Sequence, residues 1–577
     1  MMPKMKPPAG KLVWSKRGIM LPGPNMELAP FAPPILVRAT VSVDGLPDKF
    51  VIVDFLDYAK KRISVKLPRA DFLDFHKLKR ALEGAGYEFP RDPSAGKKLH
   101  EFIVGLAPRE RWRLVDRTGW HGNEFVLPNL PATADDGTIL RYEPDKPQYC
   151  AAFEKRGSLE GWQQQVADHA LYSNRMVFAI CLAFAAPLMQ FAAVEPGGVH
   201  LFGKSTKGKS VCLIVASSVT GHGTREDLLN WDVTGTGLEE AAAGHNHSLL
   251  CLDETGHLRT DAGASVAKTL RAHAFKLAGG RGRLRSSLWG QKLGVRDLKW
   301  RVLFLSTGEL SLSDIAAEAD LERLKGEEVR LIDLPASNGD ALGIYEQLPP
   351  GCSSLDEALA AITAACAANC GFAFESYIAQ LRRKASSAAQ LVEPHMDRFM
   401  TAAKVPDDAW SRRFAQRFAL AFAAGSIAAE SGVVPWNINA IGKAVRSCYW
   451  TAQQAVPDID NLRNRGLEIV QTKLRDDRLI LDMKRSGHNV SWTPEEAAET
   501  QIFRRSDATG TRFMVGPVNF ENWYDSKLQA ELVLRDLDGR GLLVKSARGL
   551  RAIQVSIAGI PGKPYYYCIS DRALTAR

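Results

Sequence analysis

The stretch "VHLFGKSTKGKSVCLIVASSVTG", residues 199–221, passes from an apolar run through glycines, lysines and a serine into a second apolar run. Within it Gly203, Lys204, Ser205, Thr206, Lys207, Gly208, Lys209 and Ser210 spell a complete GxxxxGK[ST] pattern. Glycines let such a loop wrap a phosphate so that backbone N–H groups face its oxygens. Lys209 then reaches the β- and γ-phosphates and Ser210 offers a hydroxyl to Mg²⁺. The pattern by itself is permissive, but its setting is specific: Val199–Phe202 has the composition of an entering strand and Val211–Ala216 that of a departing helix. A phosphate cradle for ATP and Mg²⁺ is therefore expected at residues 203–210.

Downstream, "SLLCLDE" (248–254) is a second apolar strand that ends in Asp253 and Glu254, carboxylates a buried strand does not tolerate without a purpose. Asp253 is expected to share the metal with Ser210, and Glu254 to orient and polarise the attacking water. A third strand, "WRVLFLSTGE" (300–309), ends in the hydroxyls of Ser306 and Thr307, which either reach the γ-phosphate or simply close a strand. A fourth, "EVRLIDLPA" (328–336), carries Arg330 among apolar residues, where a lone guanidinium needs a partner. That partner is a neighbouring subunit's nucleotide or, locally, Glu327 or Asp333. Lys209, Asp253, Glu254, Thr307 and Arg330 make up the candidate catalytic set. Strands alternating with helices describe a parallel α/β sheet.

Between the acidic pair and the third strand lies "KLAGGRGRLRSSLWGQKLGVRDLKWR" (276–301), in which Arg281, Arg283, Arg285, Lys292 and four further cations are opposed only by Asp297. A positive, glycine-punctuated hairpin suits a phosphate backbone, and a net charge of +9 over the 577 residues leans the same way. DNA contacts are expected from Arg281, Arg283, Arg285 and Lys292.

With 45% hydrophobic and 24% charged residues the chain folds, and at this length it folds as several units. Residues 1–150 read as a β-rich α+β domain, 151–350 as the P-loop ATPase core and 351–492, rich in Ala, Leu and Arg, as a helical block. Residues 493–577 read as a winged helix: Leu528, Leu532, Val533 and Leu537 share a helical face, followed by the β-runs "RAIQVSIAG" and "PYYYCIS". The nine cysteines are scattered, with no CxxC pair, which fits a reduced cytosol better than a disulfide or zinc framework. Cys366 and Cys370 fit helix packing. "MVFAICLAFAAPLMQFAAV" (176–194) is long enough to imitate a membrane span, but Pro187 and Gln190 interrupt it and it runs straight into the strand before the glycine loop. It reads as a buried helix, the N-terminus lacks the apolar region of an export signal, and a cytoplasmic protein without membrane partners is expected.

The segments "GGVHLFGKSTKGKS", "WDVTGTGLEEAAAGHNHSLLCLDE", "WRVLFLSTGE" and "GEEVRLIDLPA", spanning about residues 195–340, resemble the AAA+ ATPases related to the MCM helicases of mobile genetic elements. That group contains the domain of unknown function numbered 927 and is typified by the Cch helicases. Upstream "VDRTGW" and the C-terminal module are similar to its flanks. The resemblance implies a multidomain α/β protein with a central AAA+ core, assembled as a homohexameric ring. Such a ring hydrolyses ATP between subunits and moves on single-stranded or forked DNA during replication of a mobile element or phage, alongside replication partner proteins. It sets Lys209, Ser210, Asp253 and Glu254 at one face of the nucleotide and makes Arg330 similar in position to a finger offered by the next subunit, with Arg323 a rival. The basic hairpin is similar to the pre-sensor hairpin of MCM-like rings. Two other readings stay open: an ATP-assembled origin-binding or helicase-loading protein without unwinding activity, and an ATPase switch for transposition or packaging.

Overall fold

The computed structural model describes residues 11–576 apart from 16, 24–26, 129, 144–152, 260–264, 283–297, 320, 322, 338–341, 385–386, 484–492, 509, 525 and 558–559. The N-terminal region is built on a six-stranded sheet. Strands Ile35–Val43, Lys49–Leu56 and Arg62–Pro68 form an antiparallel ladder, and Glu110–Val115 pairs parallel to the first of them. Burial alternates residue by residue along Ile35–Val43, as a pleated strand requires. Helices Phe75–Gly84 and Pro93–Val104 cover one face, packing Leu78, Leu82, Leu99 and Ile103 on Val37, Val51, Val53 and Phe55.

The centre is an all-parallel sheet of β1 (Gly197–Phe202), β2 (Leu229–Asn230), β3 (Leu249–Asp253), β4 (Leu303–Gly308) and β5 (Leu331–Pro335), in the order β2-β3-β4-β1-β5. Helices lie on both faces, so the strands are mostly apolar and their side chains sort by alternation. Leu249, Cys251, Leu303, Leu305, Ile332 and Leu334 join one core, while Leu250, Leu252, Phe304 and Leu331 join the other. The first core holds α1 (Asn174–Leu188) and α2 (Lys209–Ser218); the second holds α3 (Gly235–Gly244) and α4 (Val266–Gly279).

Helix α1 is the membrane-like segment, and every residue in it after Asn174 is buried. Ser173 caps it by accepting a hydrogen bond from the Met176 backbone N–H at 3.2 Å. No helix among the described residues is long and apolar enough to cross a membrane.

The helices α5 (Leu355–Ala368), α6 (Ala409–Glu430) and α7 (Ile438–Gln454) share the core of the sheet's first face. Phe178 of α1 stacks on Phe418 of α6 with ring centroids 5.1 Å apart. From Leu355 to Gln454 the segment expected as a helical block forms a helical second layer over the sheet, whereas its end, helix Ile459–Arg475 and strand Ile480–Met483, packs with the C-terminal region. Arg417 of α6, 2% exposed, donates to the carbonyls of Pro196 at 3.0 Å and of Val329, which ties α6 to the starts of β1 and β5.

In the C-terminal region α8 (Ile459–Arg475) and α9 (Lys527–Gly539) pack over a five-stranded sheet. Helix α9 buries the predicted Leu528, Leu532, Val533 and Leu537, and the two expected β-runs pair antiparallel as Ala552–Gln554 and Tyr565–Ser570. That pair is the edge of a larger sheet, completed by Gly510–Val515, Ile502–Asp507 and Ile480–Met483. Leu467, Val470 and Leu474 of α8 join the same core, so the packing unit begins ahead of residue 493. The added strands carry Arg504 and Asp482, paired at 2.6 Å on the exposed face, and such charges mask the apolar alternation in the sequence.

Candidate nucleotide site

Parallel register brings the chemistry to one edge of the sheet. Leu201 pairs with Thr307, Phe202 with Gly308, and Leu252 with Ser306, so β1, β3 and β4 end level with one another. In open α/β sheets ligands bind at this carboxyl edge. Residues 203–208 form the turn between β1 and α2, with positive φ at Gly203, Thr206 and Gly208. Gly208, at φ 89°, stands directly before α2, and a Cβ there would lie 2.7 Å from the Leu359 side chain and 2.9 Å from that of Ile344. Only glycine meets both demands.

Lys209 opens α2 and is 6% exposed. Its Nζ donates to the carbonyls of Gly203 at 2.7 Å and Lys204 at 2.8 Å. Burial lowers its pKa, opposed by the nearby Glu254, Glu309 and Asp253 carboxylates. The ammonium is thus held inside the loop on neutral acceptors, which an anionic phosphate oxygen would outbid. The first-turn N–H groups of α2 have no intrahelical acceptor and point the same way.

Asp253 ends β3 and is 7% exposed. Its Oδ1 accepts from Ser210 Oγ at 2.9 Å and from Thr307 Oγ1 at 2.6 Å. Thr307 Oγ1 in turn accepts from the Glu254 backbone N–H at 2.9 Å. One threonine therefore orients the aspartate and fixes the backbone of the next residue. Glu254 adopts φ 50° and ψ 95°, a strained conformation for a non-glycine residue, and its Oε1 accepts from Gly256 N–H at 3.0 Å. The described residues hold no cluster of three or more His, Cys, Asp or Glu suited to a metal. Two protein oxygens, from Ser210 and Asp253, match Mg²⁺, which keeps waters and phosphate oxygens in its shell.

The two hydroxyls ending β4 have separate duties. Ser306 Oγ lies 3.0 Å from His200 Nδ1 and accepts from Trp231 Nε1 at 2.9 Å, inside the core. Burial holds His200 below the usual histidine range, so the trio is neutral packing beneath the site. Sequence reasoning named neither His200 nor Trp231 nor Glu309. A buried histidine in an apolar strand was the available signal.

Arg330 precedes β5 instead of lying within it. Its Nη1 donates to Gly326 O at 2.6 Å and its guanidinium sits 4.8 Å from the Phe275 ring. The acidic neighbours considered for it are taken by others: Glu327 lies 3.0 Å from Arg271, and Asp333 2.6 Å from Arg323. Arg323, with its side chain 9% exposed in that pair, is locked within its own chain. Arg330 stands at the amino edge of the strands, where its carbonyl accepts from Gly198 N–H at 2.8 Å, opposite the phosphate loop.

Of the basic hairpin the structure describes the base. Arg281 and Lys299 form an antiparallel bridge, flanked by bonds from Gly282 N–H to Leu298 O at 2.8 Å and from Trp300 N–H to Gly280 O at 3.0 Å. Arg283, Arg285 and Lys292 lie outside the described residues.

Residues 22–297 match the model of a family described as "Domain of unknown function (DUF927)". The match spans just under half of the chain and covers the segments whose motifs led one to expect it. Its fold is similar to that of a structure described as "SCCmec type IV Cch - active helicase", with TM-score 0.58 and 15% identity over 99% of this chain and 100% of that one. A second structure, "The A form apo structure of NrS-1 C terminal region-CTR", aligns with TM-score 0.29 and 8% identity over 92% of this chain and 96% of that one. No curated protein matches the sequence.

Proposed function

From a chain that matches the DUF927 model and shares its fold with a structure described as an active helicase, we propose an ATP-dependent DNA helicase or translocase. It would act in replication of a mobile element or phage as a ring of identical AAA+ subunits, hexameric by the resemblance, with ATP and Mg²⁺ held between neighbours. The observation that carries this reading is the clasp of Asp253 by Ser210 and Thr307 beside the buried Lys209, at the carboxyl edge of a parallel sheet.

Bound Mg-ATP supplies the γ-phosphoryl group and the charge neutralisation that its transfer to water needs. The chain supplies positioning. Lys209 exchanges two carbonyls for phosphate oxygens, and Ser210 and Asp253 hold the metal. Thr307 keeps the Asp253 carboxylate in place, and Glu254 orients and polarises the attacking water. Arg330, at the far edge from its own loop and bonded locally to Gly326 O, would serve a neighbouring subunit's nucleotide. The basic hairpin from Arg281 onward, with Arg283, Arg285 and Lys292, would contact DNA, and the C-terminal module would serve as a winged helix on DNA or a partner protein.

One observation favours the second reading, an ATP-assembled origin-binding or helicase-loading protein without unwinding. Glu254 Oε1 accepts from Gly256 N–H at 3.0 Å, which engages a carboxylate oxygen that an attacking water would need. Strand displacement on a forked duplex, followed with ATP turnover in the same tube for the wild type and Glu254→Gln, separates the two. Unwinding by the wild type, with DNA binding but no unwinding by the variant, supports the helicase. Turnover without strand separation on any fork supports the loader.

A further inference from the structure

The end of β4 is tied to the phosphate loop. Its last residue, Gly308, pairs with Phe202, and the Gly308 carbonyl accepts from Gly203 N–H at 3.3 Å. The Gly203 carbonyl in turn accepts from Lys209 Nζ at 2.7 Å. Gly308 also approaches the end of β3 so closely that a Cβ on it would lie 2.1 Å from Thr255 Oγ1. Only glycine permits that approach. The next residue, Glu309, therefore leaves the strand between the loop that encloses Lys209 and the turn that begins at Glu254.

The backbone beyond Glu309 is fixed as well. His200 Nε2 lies 3.1 Å from the Leu310 carbonyl, which can only accept, so the ring proton is on Nε2 and Nδ1 accepts from the Ser306 hydroxyl at 3.0 Å. Ser311 caps the helix Leu312–Glu318, and Leu312 N–H donates to Asp333 Oδ1 at 3.1 Å. The buried His200 thus pins the chain on one side of Glu309 while Gly203 pins it on the other. The Glu309 side chain itself is exposed and makes no hydrogen bond or ion pair among the described residues.

Glu309 and Glu254 line one cavity of about 550 Å³ between the Glu254 turn, the start of α4 and the helix Leu312–Glu318. Of the carboxylates whose charge acts on the Lys209 ammonium, Glu254 comes first and Glu309 second, ahead of Asp253. The two are not equally available. Glu254 has given Oε1 to Gly256 N–H at 3.0 Å, whereas both Glu309 oxygens can accept.

We propose that Glu309 is a second catalytic carboxylate for ATP hydrolysis, orienting the attacking water together with Glu254 and accepting its proton. The proposal rests on the ATPase chemistry of the helicase reading and deepens it. The water oxygen bonds to the γ-phosphorus as the bond from that phosphorus to the β,γ-bridging oxygen breaks, and ADP leaves with the electron pair. One water proton passes to the Glu309 carboxylate and on to solvent, which its exposure allows; the other stays on inorganic phosphate.

The test is ATP turnover by the full chain, with and without forked DNA, beside equilibrium binding of the fluorescent analogue mant-ATP. The wild type is compared with Glu309→Gln, Glu254→Gln and the double variant. Glu318→Gln removes the same charge from another wall of the cavity and serves as the control. Glu309→Gln should lower kcat by about a hundredfold, the lower end of what a positioned base contributes, with mant-ATP affinity within about twofold of the wild type. Retained affinity also reports that the site is folded. Because both carboxylates would serve one water, the double variant should lie within about threefold of the slower single variant. A loss of less than about tenfold in Glu309→Gln, or an equal loss in Glu318→Gln, overturns the proposal and leaves the ATPase standing. A fall in mant-ATP affinity that accounts for the lost turnover means that Glu309 acts on nucleotide binding and also overturns it. Losses that multiply in the double variant mean separate tasks and overturn the shared water. A wild type that turns over no ATP on any DNA overturns the ATPase reading and the proposal together.

Discussion

The two edges of the central sheet are built by different rules. At the carboxyl edge, the candidate groups belong to strand ends and to one unbroken motif, and they satisfy each other: Ser210 and Thr307 both donate to Asp253. At the amino edge the groups come from distant segments and do not satisfy each other. Arg281 and Lys299 are joined by a backbone bridge, and His247 Nε2 has no hydrogen-bond partner among the described residues. The first edge is preorganised for a ligand whose charges it already mimics with its own hydroxyls and carbonyls. The second is held in place by docking of the N-terminal region.

The largest expected effect tests the first edge alone. Lys209→Ala removes the ammonium that the loop encloses, and ATP turnover should fall by at least about a hundredfold, the cost of losing a buried electrostatic contact to the transferring group. Oligo-dT binding without nucleotide should change less than twofold. A variant that keeps its turnover would show that the phosphate loop is not a catalytic cradle, and one that loses oligo-dT binding would erase the distinction between the edges.

A smaller effect tests the second edge. Thr118 and Trp120 dock on residues 243–247 through Thr118 N–H to Ala243 O at 3.2 Å and Asn246 Nδ2 to Thr118 O at 2.6 Å. Gly119 between them has φ 88°, and a Cβ there would lie 2.6 Å from His247 Nδ1 and 2.7 Å from Asn246 O. Gly119→Ala combines backbone strain with a clash, so stability in urea should fall by about 1–3 kcal/mol. Nucleotide binding should persist. An unchanged unfolding midpoint would mean that the seam is not what holds the amino edge.

This contrast also explains what could be read from the chain. The P-loop, the strand ending in Asp253 and the helix face of Leu528, Leu532, Val533 and Leu537 are local patterns whose period and spacing carry the structure. Thr307 and Ser306 are adjacent, and only the inward or edgeward direction of each side chain separates a site residue from a core residue. Arg330 and Arg323 posed the same problem, since their partners are set by the packing of α4 against β5. Arg113, Arg117 and His247 carry no local signal at all: they become neighbours of Arg281 only when "VDRTGW" docks on the loop before β3. In the sequence that segment reads only as a flank, and its role as a seam between two regions depends on long-range contacts.

The smallest effect is a pH dependence that can be read at the second edge through His247. His245 and His247 are each 4% exposed, and burial pushes their pKa values down to about 4 and about 3. In the unfolded chain both titrate near about 6.5. Between about pH 6.5 and pH 4 the unfolded state therefore binds protons that the folded state refuses, and stability falls as pH falls, by about 1.4 kcal/mol per pH unit for each fully shifted histidine. His247→Asn isolates one of them. Asparagine tolerates the positive φ of 57° and its Oδ1 can accept from Trp120 N–H as Nδ1 does, so the seam is kept while the titrating group is lost. Urea unfolding at pH 7, 6 and 5 should show a shallower loss of stability in the variant, by about 1.4 kcal/mol per unit below pH 6. An identical slope would mean that His247 takes up a proton in the folded protein, and its Nδ1 would then be a donor that could not hold Trp120. The N-terminal region would have to dock by other bonds, and the amino edge would lose the feature that distinguishes it: a neutral donor kept among cations.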